Sequence, residues 1–250
     1  MIRGIILAGG SGQRLDPLTR ITNKHLLPVY DRPMIYFAVE QMVLAGIDRI
    51  MIVTGGNHAG EFLRLLGNGR AFGLRHLDYA YQERAGGIAE ALGLAEHFAD
   101  GGPVAVLLAD NIFERSVAPI VDRFRARPVG ARIVLAEVEH PEAYGVPEFE
   151  GDRLVRIVEK PSRPASRYAV TGLYLYDARV FDLARGLVPS ARGELEITDV
   201  NNHYLALGQL SHEVAEGYWA DCGESLDALF RAGQLVATRG ANRTVEPPAR

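Results

Sequence analysis

Short, fully apolar runs alternate with amphipathic stretches from the first residues onward, and this alternation restricts the fold more than any other feature. GIILAGG reads as a buried strand and PMIYFAVEQMVLAGI as a helix, opened by Pro33 and closing near Gly46. RIMIVTGG, LDYAYQ, PVAVLLADN and ARIVLAEVE read as further strands, separated by helices in AGEFLRLLGNG, GGIAEALGLAEHFAD and APIVDRFRAR. Strands alternating with helices imply βαβ units, a mainly parallel sheet and right-handed crossovers. The pattern then changes. AYGVPEFEGDRLVRIVEKP predicts a hairpin turning at Glu150-Gly151-Asp152, and AVTGLYLYDA another strand. Helices follow in ARVFDLARGL and EITDVNNHYLALG, then a late strand, LSHEVAE, and a last helix, SLDALFRAGQLVATR. No repeat or clear linker interrupts this order. Residues 1–240 are therefore expected to form one domain, with halves meeting near residue 130. Residues 241–250, polar and proline-bearing, are expected to be a disordered tail.

Composition narrows the function classes. With 48% hydrophobic and 23% charged residues the chain can build a sizeable core. Its net charge of −4 offers no basic stripe of the kind a nucleic-acid surface needs. No apolar run approaches the ~18 residues of a membrane span, and the first apolar stretch is too short for a signal peptide. A cytoplasmic protein with neither nucleic-acid nor membrane partner is expected. The lone Cys222 excludes an internal disulfide and a cysteine-rich zinc site. The seven histidines show no metal spacing.

Ligands of open parallel sheets bind at the carboxyl ends of the strands, and the unusual residues gather there. The first strand runs into LAGGSGQRLDPLT, with Gly9, Gly10 and Gly12 followed by Arg14. This is not a dinucleotide fingerprint, because Leu15 stands where the third glycine belongs. It is not a P-loop either, because Gln13 stands where lysine belongs. What remains is a flexible backbone whose N–H groups can approach an anion, beside one cation; an ordinary tight βα turn reads the same. Asp110 ends an apolar strand, where a carboxylate either caps a turn or holds Mg²⁺ together with substrate phosphates. Asp221, in YWADCGE, is the candidate second carboxylate, or a charge at a helix start. Of 27 basic residues only Lys24 and Lys160 are lysine. A compact ammonium suits a tight phosphate pocket better than a wide guanidinium does. Arg14 and Lys24 follow the glycine loop, while Lys160 and Arg192 lie in the second half, a division that suggests two phosphates approached from two sides.

Taken with NKHLLPVYDRPMIYF, YQERAGGIAEAL, LLADNIFE, AYGVPEF, VEKP, YAVTGLYLYD, PSARGELEITDVN and YWADCGES, the glycine loop gives the chain a clear likeness. It resembles the glucose-1-phosphate thymidylyltransferases (dTDP-glucose pyrophosphorylases) of the sugar nucleotidyltransferase family, in their short form. The likeness runs in order from residue 4 to about residue 225. It implies an α/β, Rossmann-like fold of the nucleotide-diphospho-sugar transferase type, a mainly parallel mixed sheet flanked by helices. The half before about residue 130 would bind nucleotide and the half after it sugar. It also implies a homo-oligomer, dimer or tetramer.

Roles follow from the resemblance residue by residue. The loop from Leu7, Ala8, Gly9 and Gly10 through Ser11 and Gly12, with Arg14 and Lys24, would cradle the triphosphate of dTTP. Gln82 would meet the thymine edge, with Gly87 leaving room for the base. Asp110 and Asp221 would hold Mg²⁺. Gly145, Glu159, Val170 and Thr171 would line the sugar pocket, and Lys160 and Arg192 would bind the phosphate of glucose 1-phosphate. Arg14, Lys24, Asp110, Lys160 and Arg192 would carry the reaction, in which the sugar phosphate attacks the α-phosphorus of dTTP directly and pyrophosphate leaves. Asp110→Asn is then expected to remove Mg²⁺-dependent turnover and leave the fold intact. The same reaction with UTP or another sugar 1-phosphate is the nearest alternative, and a non-catalytic sugar-nucleotide sensor the more distant one. Three positions depart from the family pattern: Ala109, Glu224 and Pro147. The long form's C-terminal helices are missing from the sequence, so feedback by dTDP-rhamnose at a remote site is expected to be weak or absent.

Overall fold

The computed structural model describes residues 1–10 and 12–244. The first half contains β1 (Arg3–Ala8), the short strands β2 (Pro28–Val29) and β3 (Arg32–Pro33), α1 (Met34–Leu44), β4 (Arg49–Gly55), α2 (Ala59–Leu66) and β5 (His76–Gln82). It continues through α3 (Ile88–Gly93), α4 (Glu96–Ala99), β6 (Val104–Leu108), β7 (Asn111–Phe113) and α5 (Ala118–Ala126). The second half holds β8 (Ala131–Glu137), the hairpin β9 (Gly145–Glu150) and β10 (Arg153–Glu159), then β11 (Tyr168–Tyr176) and α6 (Val180–Arg185). It ends with α7 (Ile197–Ala206), β12 (Leu210–Val214), β13 (Trp219–Asp221) and α8 (Leu226–Arg239).

Seven strands form one sheet in the order β12-β8-β11-β6-β1-β4-β5. β1 is parallel to β4 and β6, β4 to β5, and β12 to β8. Only β11 is reversed, antiparallel to both β6 and β8. The result is the mainly parallel mixed α/β sheet expected from the sequence. Because β11 is reversed, its first residues lie at the edge where its neighbours present their carboxyl ends.

The period-two alternation of the strands sorts the core into two layers. Ile6 and Ala8 face Ile35, Val39 and Met42 of α1, with Phe62 of α2 and Phe124 of α5 in the same layer. Ile5 and Leu7 face the other way, into a layer shared by Leu92 of α3, Phe181 of α6, and Val200 and Tyr204 of α7. A third cluster seats α8 through Ala232 and Val236 against Met34, Phe37 and Ile112.

Three local departures have physical causes. The single helix read in GGIAEALGLAEHFAD is two, α3 and α4, and the break falls at Gly93, a residue about 1 kcal/mol less favourable than alanine inside a helix. The strand read through Asn111 leaves the sheet after Leu108. Ala109 still donates to the Leu7 carbonyl at 3.0 Å, but β7 turns away to pair antiparallel with β13, Asn111 opposite Asp221. Residues 241–244, assigned to a disordered tail, are tied to the body. Asn242 N donates to Phe113 O at 2.9 Å and Arg243 N to Glu114 O at 2.8 Å, and the buried Asn242 amide donates to Phe37 O at 3.0 Å. Residues 245–250 lie outside the described residues.

Candidate active site

The carboxyl edge of the sheet opens into a cleft of about 320 Å³. It is lined by Leu7, Gly9 and Gly10 after β1, with Gln82 at the end of β5 and Gly87 just beyond. Leu15, fully buried, anchors the loop, while Arg14 beside it stays exposed at the cleft. Gly12 is a packing residue of the loop. It has φ +63°, its carbonyl accepts from Thr19 Oγ1 at 2.9 Å, and a Cβ there would meet Thr19 Cγ2 at 2.9 Å and Lys24 Cβ at 3.3 Å. The loop is thus folded against the segment that carries Lys24.

The middle of the cleft is a charged knot. Lys24 Nζ donates to Asp110 Oδ2 at 2.5 Å, with both side chains only 12% exposed. Asn111 Nδ2 donates to the other oxygen, Oδ1, at 3.0 Å. Burial alone would raise the Asp110 carboxyl, but the Lys24 charge outweighs it and holds Asp110 well below the usual carboxylate range. Burial opposes the Lys24 ammonium too, and the charge and hydrogen bond of Asp110 overcome it, so Lys24 lies above its ordinary value. β13 brings Asp221 to the same place, and Cys222 N donates to the Asp110 carbonyl at 2.8 Å. Burial, then the charge of Asp110, pushes Asp221 up to about 7. Two converging carboxylates, one of them reluctant to ionise, form a donor pair that fits a hard divalent cation whose other ligands are water and phosphate oxygens. Among the described residues no cluster of three or more such ligands occurs. His25 is buried and is pushed down to about 3 by burial and by Lys24, so its ring is neutral. Its Nδ1 sits 2.8 Å from Asn23 Oδ1, which also accepts from His25 N at 2.9 Å.

Gly145, Glu159, Lys160, Val170 and Arg192 also line the cleft. Thr198 Oγ1, at the start of α7, donates to Glu159 Oε2 at 2.6 Å and fixes that carboxylate. Arg192 lies among three acids: Glu196 at 2.8 Å, Glu194 at 3.2 Å and Glu159 at 3.6 Å. Lys160 has φ +44°, a left-handed conformation rare for a side chain with a Cβ, and its N donates to the Tyr144 carbonyl at 2.9 Å. Backbone held in such a region concentrates at ligand sites, where the surroundings over-determine it.

A family model described as nucleotidyl transferase matches residues 3–239. The chain belongs to the nucleotidyl transferase family. Among curated members, the glucose-1-phosphate thymidylyltransferase of an Actinoplanes species is 48% identical over 232 residues, 91% of this chain and 76% of that one. Those of Neisseria meningitidis and Mycolicibacterium smegmatis are 45% and 47% identical, each over 95% of this chain and 83% of theirs. A crystal structure of a candidate glucose-1-phosphate thymidylyltransferase from Bacillus anthracis, in complex with sucrose, superposes with a TM-score of 0.91 at 47% identity, covering 95% of this chain and 96% of that one. A UDP-glucose pyrophosphorylase complexed with UDP-glucose, 24% identical, superposes with a TM-score of 0.80 over 95% of this chain and 99% of its own, and so shares the fold.

In this nucleotidyl transferase the cleft gathers most of the residues singled out in the sequence, and a few fall elsewhere. Thr171 does not line it: the side chain is fully buried and its Oγ1 donates to Val134 O at 2.9 Å, because alternation along β11 turns it to the opposite face from Val170. The Ala8 side chain is in the core on the α1 side, so only its backbone is available to a ligand. Ser11 lies outside the described residues. Gly87 has a backbone reason for being glycine: its φ is +101°, and a Cβ would fall 2.5 Å from the Leu195 carbonyl. Cys222 is buried, and burial followed by the charge of Asp221 raises its thiol well above the usual range, so it is not an exposed, oxidation-prone thiol. Ala109 is buried in the core, and Pro147 sits in β9 opposite Ile157.

The cleft also holds residues that the sequence reading passed over. Asn111 Oδ1 accepts from Gly172 N and from Trp219 Nε1, both at 2.7 Å, while its Nδ2 holds Asp110. One amide therefore ties β11, β13 and the Asp110 carboxylate together. Gly172 permits this approach, since a Cβ there would stand 2.7 Å from Asn111 Oδ1. Asn201 also lines the cleft, with its Oδ1 taken by Tyr176 and its buried Nδ2 left without a partner. The dipeptide Asp110-Asn111 at a strand end was the available signal for Asn111; for Asn201, midway along a helix, there was none.

Proposed function

We propose that the protein transfers the dTMP moiety of dTTP to glucose 1-phosphate, giving dTDP-glucose and pyrophosphate. The observation that carries this reading is the set of groups that one cleft brings together. A glycine loop and Gln82, the knot of Lys24, Asp110 and Asp221, and the group Glu159, Lys160 and Arg192 all line it. The glucose-1-phosphate thymidylyltransferases that the chain resembles support the choice of substrates. Residues 1–130 serve the nucleotide and 131–240 the sugar phosphate.

The sugar phosphate already carries a nucleophilic oxygen, so catalysis reduces to holding two anions in line and offsetting their charge. Backbone N–H groups from Leu7 to Gly10 and the Arg14 guanidinium receive the triphosphate, with Lys24 beside the phosphorus under attack. Lys160 and Arg192 hold the incoming phosphate, and Glu159, steadied by Thr198, accepts from glucose hydroxyls. Asp110 and Asp221 would bind Mg²⁺, which supplies charge neutralisation and fixes the phosphate geometry when present. Arg192 is already surrounded by acids, so the approaching phosphate exchanges partners with Glu194 and Glu159 rather than meeting a free cation. The protein acts as a homo-oligomer in the cytoplasm. Among its described residues no helix is long and apolar enough to cross a membrane.

Pyrophosphate release with Mg²⁺ and glucose 1-phosphate, compared across dTTP, UTP, CTP, ATP and GTP, tests the proposal. Fast release with dTTP supports it. Faster release with UTP moves the substrate to the ribonucleotide. Silence with all five and with other sugar 1-phosphates leaves the sensor reading.

A further inference from the structure

A glutamine amide has one end that accepts and one that donates, and its neighbours decide which end faces a ligand. Gln82 Nε2 lies 3.3 Å from the Gly87 carbonyl and 3.2 Å from Glu90 Oε1. Both of those atoms can only accept, so the nitrogen belongs on that side. Oε1 is thereby turned toward the cleft-lining Gly9, where a Cβ would stand 2.9 Å from it, and it accepts no hydrogen bond among the described residues. Glu90 is itself held in place. Its carboxylate lies over Gly86, which has no side chain to obstruct it, and Arg84 Nε approaches its Oε2 at 3.4 Å. Oε1 is left for Gln82.

We infer that Glu90, acting through Gln82, makes the base pocket select pyrimidines that carry a hydrogen on N3, the imide edge of thymine or uracil, and reject cytosine, whose N3 carries a lone pair. The inference rests on the nucleotide assignment above and extends it. To receive cytosine the Gln82 amide would have to turn over. Its oxygen would then face the Gly87 carbonyl and the Glu90 carboxylate, two acceptors against an acceptor in a partly buried site. Glu90 is a positioning residue: it touches the amide and not the base. It does not separate thymine from uracil, because the two share this edge.

The test is equilibrium binding of dTTP and dCTP with Mg²⁺ to the wild type, Glu90→Gln and Glu90→Leu, with thermal melts to confirm folding. A glutamine at position 90 keeps the shape but can rotate to donate, so it tolerates the inverted Gln82. The preference for dTTP over dCTP is expected to fall about tenfold in Glu90→Gln, the scale of one charge-assisted hydrogen bond, chiefly through tighter dCTP binding. In Glu90→Leu the preference falls as well, and dTTP also weakens because Gln82 has lost its anchor. An unchanged preference in both folded variants, or an equal loss of both nucleotides, overturns the inference, as does a wild type that binds the two alike. Pyrophosphate release by the wild type, run in parallel, separates the two claims. Silence with dTTP and every sugar 1-phosphate removes the proposed reaction, whereas normal release with unchanged preferences removes only the role of Glu90.

Discussion

Asp110→Asn is a sharper experiment than the sequence alone made it. Lys24 and Asp110 meet at 2.5 Å with 12% of each side chain exposed, so removing the carboxylate charge strands a buried ammonium. Breaking one side of such a pair is destabilising by ~3–5 kcal/mol. Asp221 still acts favourably on Lys24, which places the expected loss near the lower end, about 3 kcal/mol. For a chain of this length each kcal/mol corresponds to roughly 2–4 °C, so the melting temperature should fall by about 6–12 °C. Scanning calorimetry in metal-free buffer measures this, with turnover assayed separately. Adding Lys24→Met removes the stranded charge and should recover most of the lost stability while leaving turnover absent, a strongly non-additive cycle. A melting temperature within about 2 °C of the wild type, or simple additivity of the two substitutions, would refute the reasoning. The expectation that Asp110→Asn leaves the fold untouched is therefore replaced by one of lost activity and lost stability together.

Lys160→Ala should raise the KM for glucose 1-phosphate far more than that for dTTP; equal rises would undo its assignment to the sugar phosphate. The Asp221 carboxyl, at about 7 in the folded chain, lies above its unfolded value of ~3.9, so the folded state binds the proton more tightly. Wild-type stability without metal therefore rises, relative to Asp221→Asn, as pH falls through 7, and the stability advantage of the variant should narrow between about pH 8 and about pH 5; a widening gap would contradict this. Gly223→Ala would set a methyl 2.5 Å from Asp110 Oδ2 and 2.6 Å from Lys24 Nζ. Overpacking of this kind is destabilising by ~1–3 kcal/mol, and a displaced carboxylate should lower kcat by about a hundredfold. Gly60→Ala, in α2 with nothing within 4 Å of the added carbon, serves as the control that should lose neither stability nor activity, and a similar loss in both would show that the gap at Gly223 is not needed.

The sheet was legible because buried parallel strands are written as unbroken apolar runs, and the residues now lining the cleft because Gly9, Gly10, Asp110 and Lys160 follow strand ends. The reversal of β11 could not be read from AVTGLYLYDA, since direction is set by the pairing with Leu107 and Ile133 and not by its own residues. β13 was missed because three residues carry too little periodicity to register. That omission hid how Asp221 reaches the neighbourhood of Asp110. Thr171 was misplaced by one step of alternation, and on a strand buried on both faces the sequence offers no polar side to set the phase. Glu90 was not singled out in the sequence; only its contact with the Gln82 amide draws attention to it.

The place of β11 in the sheet also bears on how the protein can be divided. This strand comes from the second half of the chain and lies between β6 and β8. A fragment ending near residue 130 would lack it and leave β6 as a bare edge, with Val104, Ala105, Val106 and Leu107 all fully buried in the intact protein. A long, flat, hydrophobic edge is a template for pairing with other chains. The first half is thus not a module that could be borrowed, expressed alone or fused to another domain. Recombination between relatives that exchanged one half for the other would have to preserve this seam, strand against strand, before any question of substrate arose.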